Sequence, residues 1–199
     1  MAASAGHRSI VMSTCGILLA AGAGSRMGKP KALVTNTEGQ SWLHHGVTTL
    51  QSAGLSPVIV VLGAQAEDAL ELLPTTDVIV VISDWQHGMS ASLRCGLEAA
   101  MRIDDADAAA ISLVDVPDLN ADTVTRIVGH SSPSRNILRR AVFHGRPGHP
   151  VLIGRDHWPT LAKSLTGDGG ANTYLREHGV ELVECSDLSS GVDVDYPEA

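Results

Sequence analysis

Gly16-Ile17-Leu18-Leu19-Ala20-Ala21-Gly22-Ala23-Gly24-Ser25-Arg26-Met27-Gly28-Lys29-Pro30-Lys31-Ala32-Leu33 runs from an apolar strand straight into a glycine-rich loop carrying one arginine and two lysines. A buried strand that empties into such a loop reads as a triphosphate cradle at the carboxyl end of a sheet strand. Glycines let backbone N–H groups approach phosphate oxygens closely. Arg26 and Lys31 can neutralise the charge. The spacing excludes two common cradles. The Walker pattern G-x-x-x-x-G-K-[ST] fails, because Gly28-Lys29 is followed by Pro30 and the position five before Gly28 is Ala23. The dinucleotide fingerprint G-x-G-x-x-G fails too, because Met27 stands where the third glycine belongs.

On either side of this loop, apolar runs alternate with helical patterns. Strands are expected over 15–19, 57–62, 78–82 and 108–114. Between them, Ser41 precedes Trp42 and a helix with Leu43, Val47 and Leu50 on one face, stopped near Gly54. A short helix over 66–73 ends at Pro74, and Met89, Leu93, Leu97 and Met101 recur at helical spacing. Asn120 caps a helix holding Val124, Ile127 and Val128. Unbroken aliphatic strands separated by helices predict a mostly parallel sheet covered on both faces, a three-layer α/β/α sandwich. After residue 135 the pattern loosens. It reads as a strand over 136–143, a loop over 145–150, a short strand over 151–153, helices over 156–164 and 171–178, and a last strand over 180–184.

The 199 residues fit one domain over 13–199, with residues 1–12 as a loose N-terminal extension. Hydrophobic residues at 44% with 18% charged residues exclude a disordered chain. Aromatics make up 3%, so Ala, Val, Leu and Ile must build the core. The net charge of −8 speaks against nucleic-acid binding and makes the basic loop a local exception. Cys15, Cys95 and Cys185 are odd in number and widely spaced, which suggests neither a disulfide framework nor a zinc site; a reducing cytoplasm is expected. The first two read as small core residues. The run from Ile10 to Ala20 after Arg8 looks superficially like a secretory leader, but Ser13 and Thr14 interrupt it. No segment has the ~20 apolar residues of a membrane span.

Four further segments carry candidate chemistry. In Ser112-Leu113-Val114-Asp115-Val116-Pro117-Asp118, Asp115 stands at the end of a buried strand, where a divalent metal finds a hard oxygen ligand. It could equally be an anion ahead of the helix that follows; the glycine loop tips the reading toward Mg²⁺. In Gly88-Met89-Ser90-Ala91-Ser92-Leu93, a helix start offers Ser90, Ser92 and free N–H groups to an anion or base, with plain serine capping as the alternative. Arg94 nearby is either part of this contact or a solvated charge. His149 lies in Gly145-Arg146-Pro147-Gly148-His149-Pro150, and Asp168 in Gly167-Asp168-Gly169-Gly170-Ala171-Asn172, where it could also cap the next helix.

Together these segments resemble the MobA-like NTP transferases. The loop matches L-A-A-G-x-S-x-R-M-G-x-x-K-x-L with one extra small residue, and Leu19-Ala20-Ala21-Gly22 is most similar to the molybdenum cofactor cytidylyltransferase branch, since the guanylyltransferase branch reads L-A-G-G. The resemblance extends to D-x-P at Asp115, G-M-S-x-S-L at 88–93, G-x-P-G-H-P-V-L at 145–152, G-D-x-G-A-R at 167–172 and D-I-D-T-P-E-D at 193–198. Asn172 replaces the usual arginine and Tyr196 the usual threonine.

The resemblance implies a Rossmann-like sheet of nucleotide-diphospho-sugar transferase type. It also implies transfer of CMP from CTP onto the terminal phosphate of a molybdopterin-type cofactor, with pyrophosphate released. Leu19, Ala20, Ala21, Gly22, Gly24, Ser25, Arg26, Gly28, Lys31, Ser90 and Ser92 would bind the nucleotide, and Arg26, Lys31 and Asp115 would carry catalysis. His149 and Asp168 would meet the acceptor, and Asp115 with Asp195 would hold Mg²⁺, Asp193 being the other choice. A molybdoenzyme or its chaperone would be a protein partner. Two alternatives stay open: transfer to a sugar or alcohol phosphate, and a non-catalytic nucleotide or cofactor carrier.

Overall fold

The computed structural model describes residues 13–36, 38–74, 77–129 and 134–196. The expected extension over 1–12, and Pro197 and Glu198 of the terminal motif, lie outside these residues. In chain order the elements are β1 (Ser13–Ala20), α1 (Trp42–Ser52), β2 (Val58–Leu62), α2 (Ala66–Leu70), β3 (Val78–Ile82), α3 (Met89–Met101), β4 (Ala106–Leu113), α4 (Ala121–Val128), β5 (Leu138–Phe143), β6 (Arg146–Gly154), α5 (Trp158–Ser164), α6 (Asn172–Glu177) and β7 (Glu181–Glu184).

One seven-stranded sheet runs β3-β2-β1-β4-β6-β5-β7. The first four strands are mutually parallel, β6 is antiparallel to both its neighbours, and β7 is parallel to β5. The expected mostly parallel three-layer sandwich is therefore present. Its cause is visible in β2, whose Val-Ile-Val-Val-Leu run is buried on both faces. Along β1 the faces alternate. Leu18 and Ala20 pack with Leu43, Val47 and Leu50 of α1 and Val124 and Ile127 of α4. Cys15, Ile17 and Leu19 pack with Leu93 and Leu97 of α3 and Trp158 and Leu161 of α5. Burying that much aliphatic surface is the main stabilising term, at roughly 25 cal/mol per Å². Among the described residues, no helix is long and apolar enough to cross a membrane.

Several expectations need correction. Residues 145–150 are not a loop: Arg146 begins β6, and His144 and Gly145, both at positive φ (50° and 75°), form the two-residue turn from β5. That turn twists with the flanking strands and lets a proline-bearing segment pair with β5. The helix expected over 66–73 ends at Leu70, and those over 156–164 and 171–178 narrow to α5 and α6. Cys95 is only partly buried, unlike Cys15.

Candidate active site

A cavity of about 490 Å³ opens where β1 and β4 end, lined by the glycine loop, the residues after β4, the start of α3 and the C-terminal segment. The loop is anchored from below: Met27 and Ala32 are buried in the core beneath it. Above, the N–H groups of Gly22, Ala23 and Gly24 make no hydrogen bond to the described chain, which leaves them available to an anion.

Four charged side chains meet at one end. Lys31 Nζ lies 2.6 Å from Asp115 Oδ2 and 2.7 Å from Asp195 Oδ1, and Arg26 Nη1 lies 2.6 Å from Asp195 Oδ2. The Val194 N–H donates to the Asp115 carbonyl at 2.8 Å, which lays the C-terminal segment across the end of β4. Burial alone would pull the Lys31 ammonium down, but its hydrogen bonds to Asp115 and Asp195 outweigh burial and hold it above its ordinary value. Asp195 is held below the usual carboxylate value, first by the Lys31 hydrogen bond. Asp193 makes no ion pair among the described residues and is pushed up, by burial first and then by the charge of Asp115.

The structure brings together most of the nucleotide residues read from the sequence. Leu19, Ala20, Ala21, Gly22, Gly24, Ser25, Arg26, Lys31 and Ser92 line this cavity, as do Asp115, Asp168 and Asp195. Gly28 does not line it. Ser90 is buried behind the wall, its Oγ without a hydrogen-bond partner. The expected free N–H groups at the start of α3 are engaged: Met89 N donates to Asp168 Oδ1 at 3.3 Å and Ser90 N to the Gly167 carbonyl at 3.0 Å. Asp168 thus closes α3 from a distant loop and does not cap the helix that follows it. It lines the larger cavity. Arg94 is neither solvated nor in the site; it donates to the carbonyls of Ala162 and Leu165 and ties α3 to α5.

A second cavity of about 250 Å³ adjoins the first and shares Leu19, Met89, Leu113 and Asp193 with it. His149, partly buried, lies on this wall, its pKa lowered to about 4 by burial and the Arg140 charge. Arg140 donates from Nε to the Gly148 carbonyl at 3.0 Å and from Nη1 to Asn172 Oδ1 at 2.7 Å. Arg140 of β5 thus places a cation beside Asn172. Sequence reading missed Arg140 and the lining residue Trp85. The signal for Arg140 was an arginine pair inside an otherwise apolar predicted strand.

The residues at the first cavity fit a divalent cation. Asp115 Oδ1 is buried with no hydrogen-bond partner, although its other oxygen is engaged. A buried carboxylate oxygen in that state suits a hard cation that takes its remaining ligands from phosphate and water. Among the described residues, no group of three or more His, Cys, Asp or Glu could hold a metal by itself. Any such ion would depend on its substrate for ligands.

Residues 16–182 match the family profile described as the MobA-like NTP transferase domain. The chain is 36% identical over 196 residues to nicotine blue oxidoreductase of Paenarthrobacter nicotinovorans, covering 92% of each chain. It is 30% identical over 128 residues to a probable molybdenum cofactor guanylyltransferase of Rhodopirellula baltica, covering 62% of this chain and 59% of that protein. Among solved structures, it superposes on Rv0371c of Mycobacterium tuberculosis H37Rv with a TM-score of 0.77 and 25% identity over 94% of both chains. That protein has also been solved in complex with manganese, matching at a TM-score of 0.70 with 26% identity.

Proposed function

From the premise that this chain belongs to the MobA-like NTP transferase family, we propose that it moves CMP from CTP onto the terminal phosphate of a molybdopterin-type cofactor. The observation that carries the reading is the charge cluster at the end of the glycine loop: Arg26, Lys31, Asp115 and Asp195 joined by contacts of 2.6–2.7 Å. The loop amides, Arg26 and Lys31 bind the triphosphate. Lys31 leaves its carboxylates for a phosphate oxygen as the nucleotide enters. Asp115, with Asp195 as the second carboxylate, would hold a divalent cation, which would supply further neutralisation of the phosphates. The acceptor phosphate is already ionised at neutral pH, so these residues position it for in-line attack and need no general base. Fixed charges aimed at the developing pyrophosphate are the main catalytic term.

The test is pyrophosphate release with Mg²⁺ and molybdopterin cofactor, comparing CTP, GTP and ATP. Release with CTP alone supports the reading and gives meaning to Ala20-Ala21. Release with GTP alone moves the assignment to the guanylyl branch.

A second reading, favoured by the similarity across 92% of a protein named as an oxidoreductase, is reduction of a ring substrate by a nicotinamide dinucleotide. The glycine loop would then hold the dinucleotide's pyrophosphate. Substrate-dependent loss of reduced nicotinamide absorbance, without pyrophosphate release from any triphosphate, would establish it in place of the first.

A further inference from the structure

One carboxylate of the C-terminal segment holds both cations of the glycine loop. Asp195 Oδ1 accepts from Lys31 Nζ at 2.7 Å, and Asp195 Oδ2 accepts from Arg26 Nη1 at 2.6 Å. Two oxygens on one carbon thus bridge the ammonium and the guanidinium, as two oxygens of one phosphate would. Asp115 is in a different state. Its Oδ2 holds Lys31, but its Oδ1 is buried with no partner. Of the two carboxylates, one has an oxygen free for a cation and the other has both oxygens engaged.

Their supports differ as well. Asp115 follows β4, a strand in the interior of the sheet. Asp195 lies beyond β7, after which the described residues form no helix or strand. The segment is anchored upstream of it: Ser190 N donates to Asp118 Oδ2 at 2.6 Å, Gly191 packs on Phe143, and Val194 N donates to the Asp115 carbonyl at 2.8 Å. The Asp195 side chain is 41% exposed and can leave its partners without moving those anchors. The charge at the cavity points the same way. Arg26 and Lys31 line it against Asp115, Asp168, Asp193 and Asp195. A free triphosphate adds further negative charge to an excess of carboxylates, whereas its complex with a divalent cation offsets part of it.

We propose that Asp195 makes the cavity selective for a metal–triphosphate complex over the free triphosphate. Without the metal it stays on Arg26 and Lys31 and competes with the phosphates for them; with the metal it gives both cations up. The proposal rests on the reading of the larger cavity as the triphosphate site and adds to it the residue that rejects the metal-free form. Apparent affinity for a free triphosphate falls with the fraction of molecules whose cations are released. The Arg26 pair is largely exposed and contributes little, so the pair with Lys31, 16% exposed, carries most of the effect.

The experiment is calorimetric binding of inorganic tripolyphosphate to the full chain at constant ionic strength, once with EDTA and once with Mg²⁺. Tripolyphosphate carries no base, so the result is independent of which nucleotide the protein prefers. The wild type is expected to bind it weakly in EDTA and at least about tenfold more tightly with Mg²⁺. Asp195→Asn should bind the metal-free probe about tenfold more tightly than the wild type, and the gap between the two conditions should narrow accordingly. Asp193→Asn removes the same charge from the same segment at a residue that pairs with neither cation. It should change metal-free binding by about threefold or less. Unchanged or weaker metal-free binding by Asp195→Asn, or equal tightening by Asp193→Asn, would each overturn the proposal. Absence of wild-type binding under both conditions would overturn it together with the triphosphate reading. The expected pattern without pyrophosphate release from CTP and molybdopterin cofactor would instead remove the transfer reading and leave the role of Asp195 standing.

Discussion

Lys31 holds two carboxylates with one ammonium, and its removal leaves Asp115 without an ion-pair partner and Asp195 with Arg26 alone. Lys31→Ala, Arg26→Ala and Asp115→Asn should each lower kcat by roughly 10²–10³, the usual loss for one preorganised charge. Far-UV circular dichroism should stay unchanged, because none of the three packs in the core; a variant with normal turnover removes its residue from the mechanism. His149 makes a second residue-scale prediction. Its folded pKa of about 4 lies below the ordinary 6.5, so the unfolded chain binds its proton first as pH falls. Stability from this group is therefore complete above about pH 6.5 and declines toward pH 4, by on the order of 2 kcal/mol given its opening to the cavity. Urea midpoints between pH 7 and 4.5 should show a flatter slope for His149→Gln than for the wild type; equal slopes would show that His149 is not protonated on unfolding. Single residues were legible where a motif fixes spacing, as from Gly22 to Lys31 and at Asp115. Arg140 was not, because a charge on a strand normally reads as a solvent-facing position, and only tertiary packing brings Asn172 to it.

At the scale of elements, the C-terminal segment is a strap held by the Val194–Asp115 hydrogen bond, by the ion pairs of Asp195 and by a close approach to Phe143. Gly191 sits at φ +63°, and a Cβ there would overlap the Phe143 ring; a Cβ on Gly148 would also press on that ring, at 2.8 Å. Phe143 is thus clasped between the β5–β6 hairpin and the strap that carries Asp193 and Asp195. Gly191→Ala should cost about 1–2 kcal/mol of stability, from the positive φ and the overlap together. It should also lower kcat by on the order of 10²-fold, because a strap displaced by about 1 Å misplaces its carboxylates. The double variant Gly191→Ala with Phe143→Leu should recover part of both losses in a double-mutant cycle; strict additivity would show the clasp to be unimportant. Long periodic elements such as α1 and α3 were legible from apolar spacing. The hairpin was not, because Pro147 and Pro150 argue against a strand, and the turn at His144-Gly145 decides the matter through backbone conformations that a histidine rarely adopts.

Across the whole molecule, an acidic chain of net charge −8 concentrates two cations, Arg26 and Lys31, at the mouth of the larger cavity and ties them to carboxylates from the middle and the C-terminal end of the sequence. A ligand seated there bridges the glycine loop, the end of β4 and the C-terminal strap, and so stabilises the fold as a unit. At a concentration near 100 times its dissociation constant, such a ligand adds about 2.7 kcal/mol. For a chain of this size that raises Tm by roughly 5–10 °C. The shift should need triphosphate and divalent cation together, because Asp115 Oδ1 is a buried oxygen without a partner that suits a cation, and the phosphates supply the ligands the protein lacks. CTP with Mg²⁺ should therefore raise Tm, CTP with EDTA should raise it much less, and Asp115→Asn should erase the difference between the two. A shift of equal size with and without the cation would place the triphosphate on Arg26, Lys31 and the loop amides alone, and would end the assignment of Asp115 as the cation's ligand.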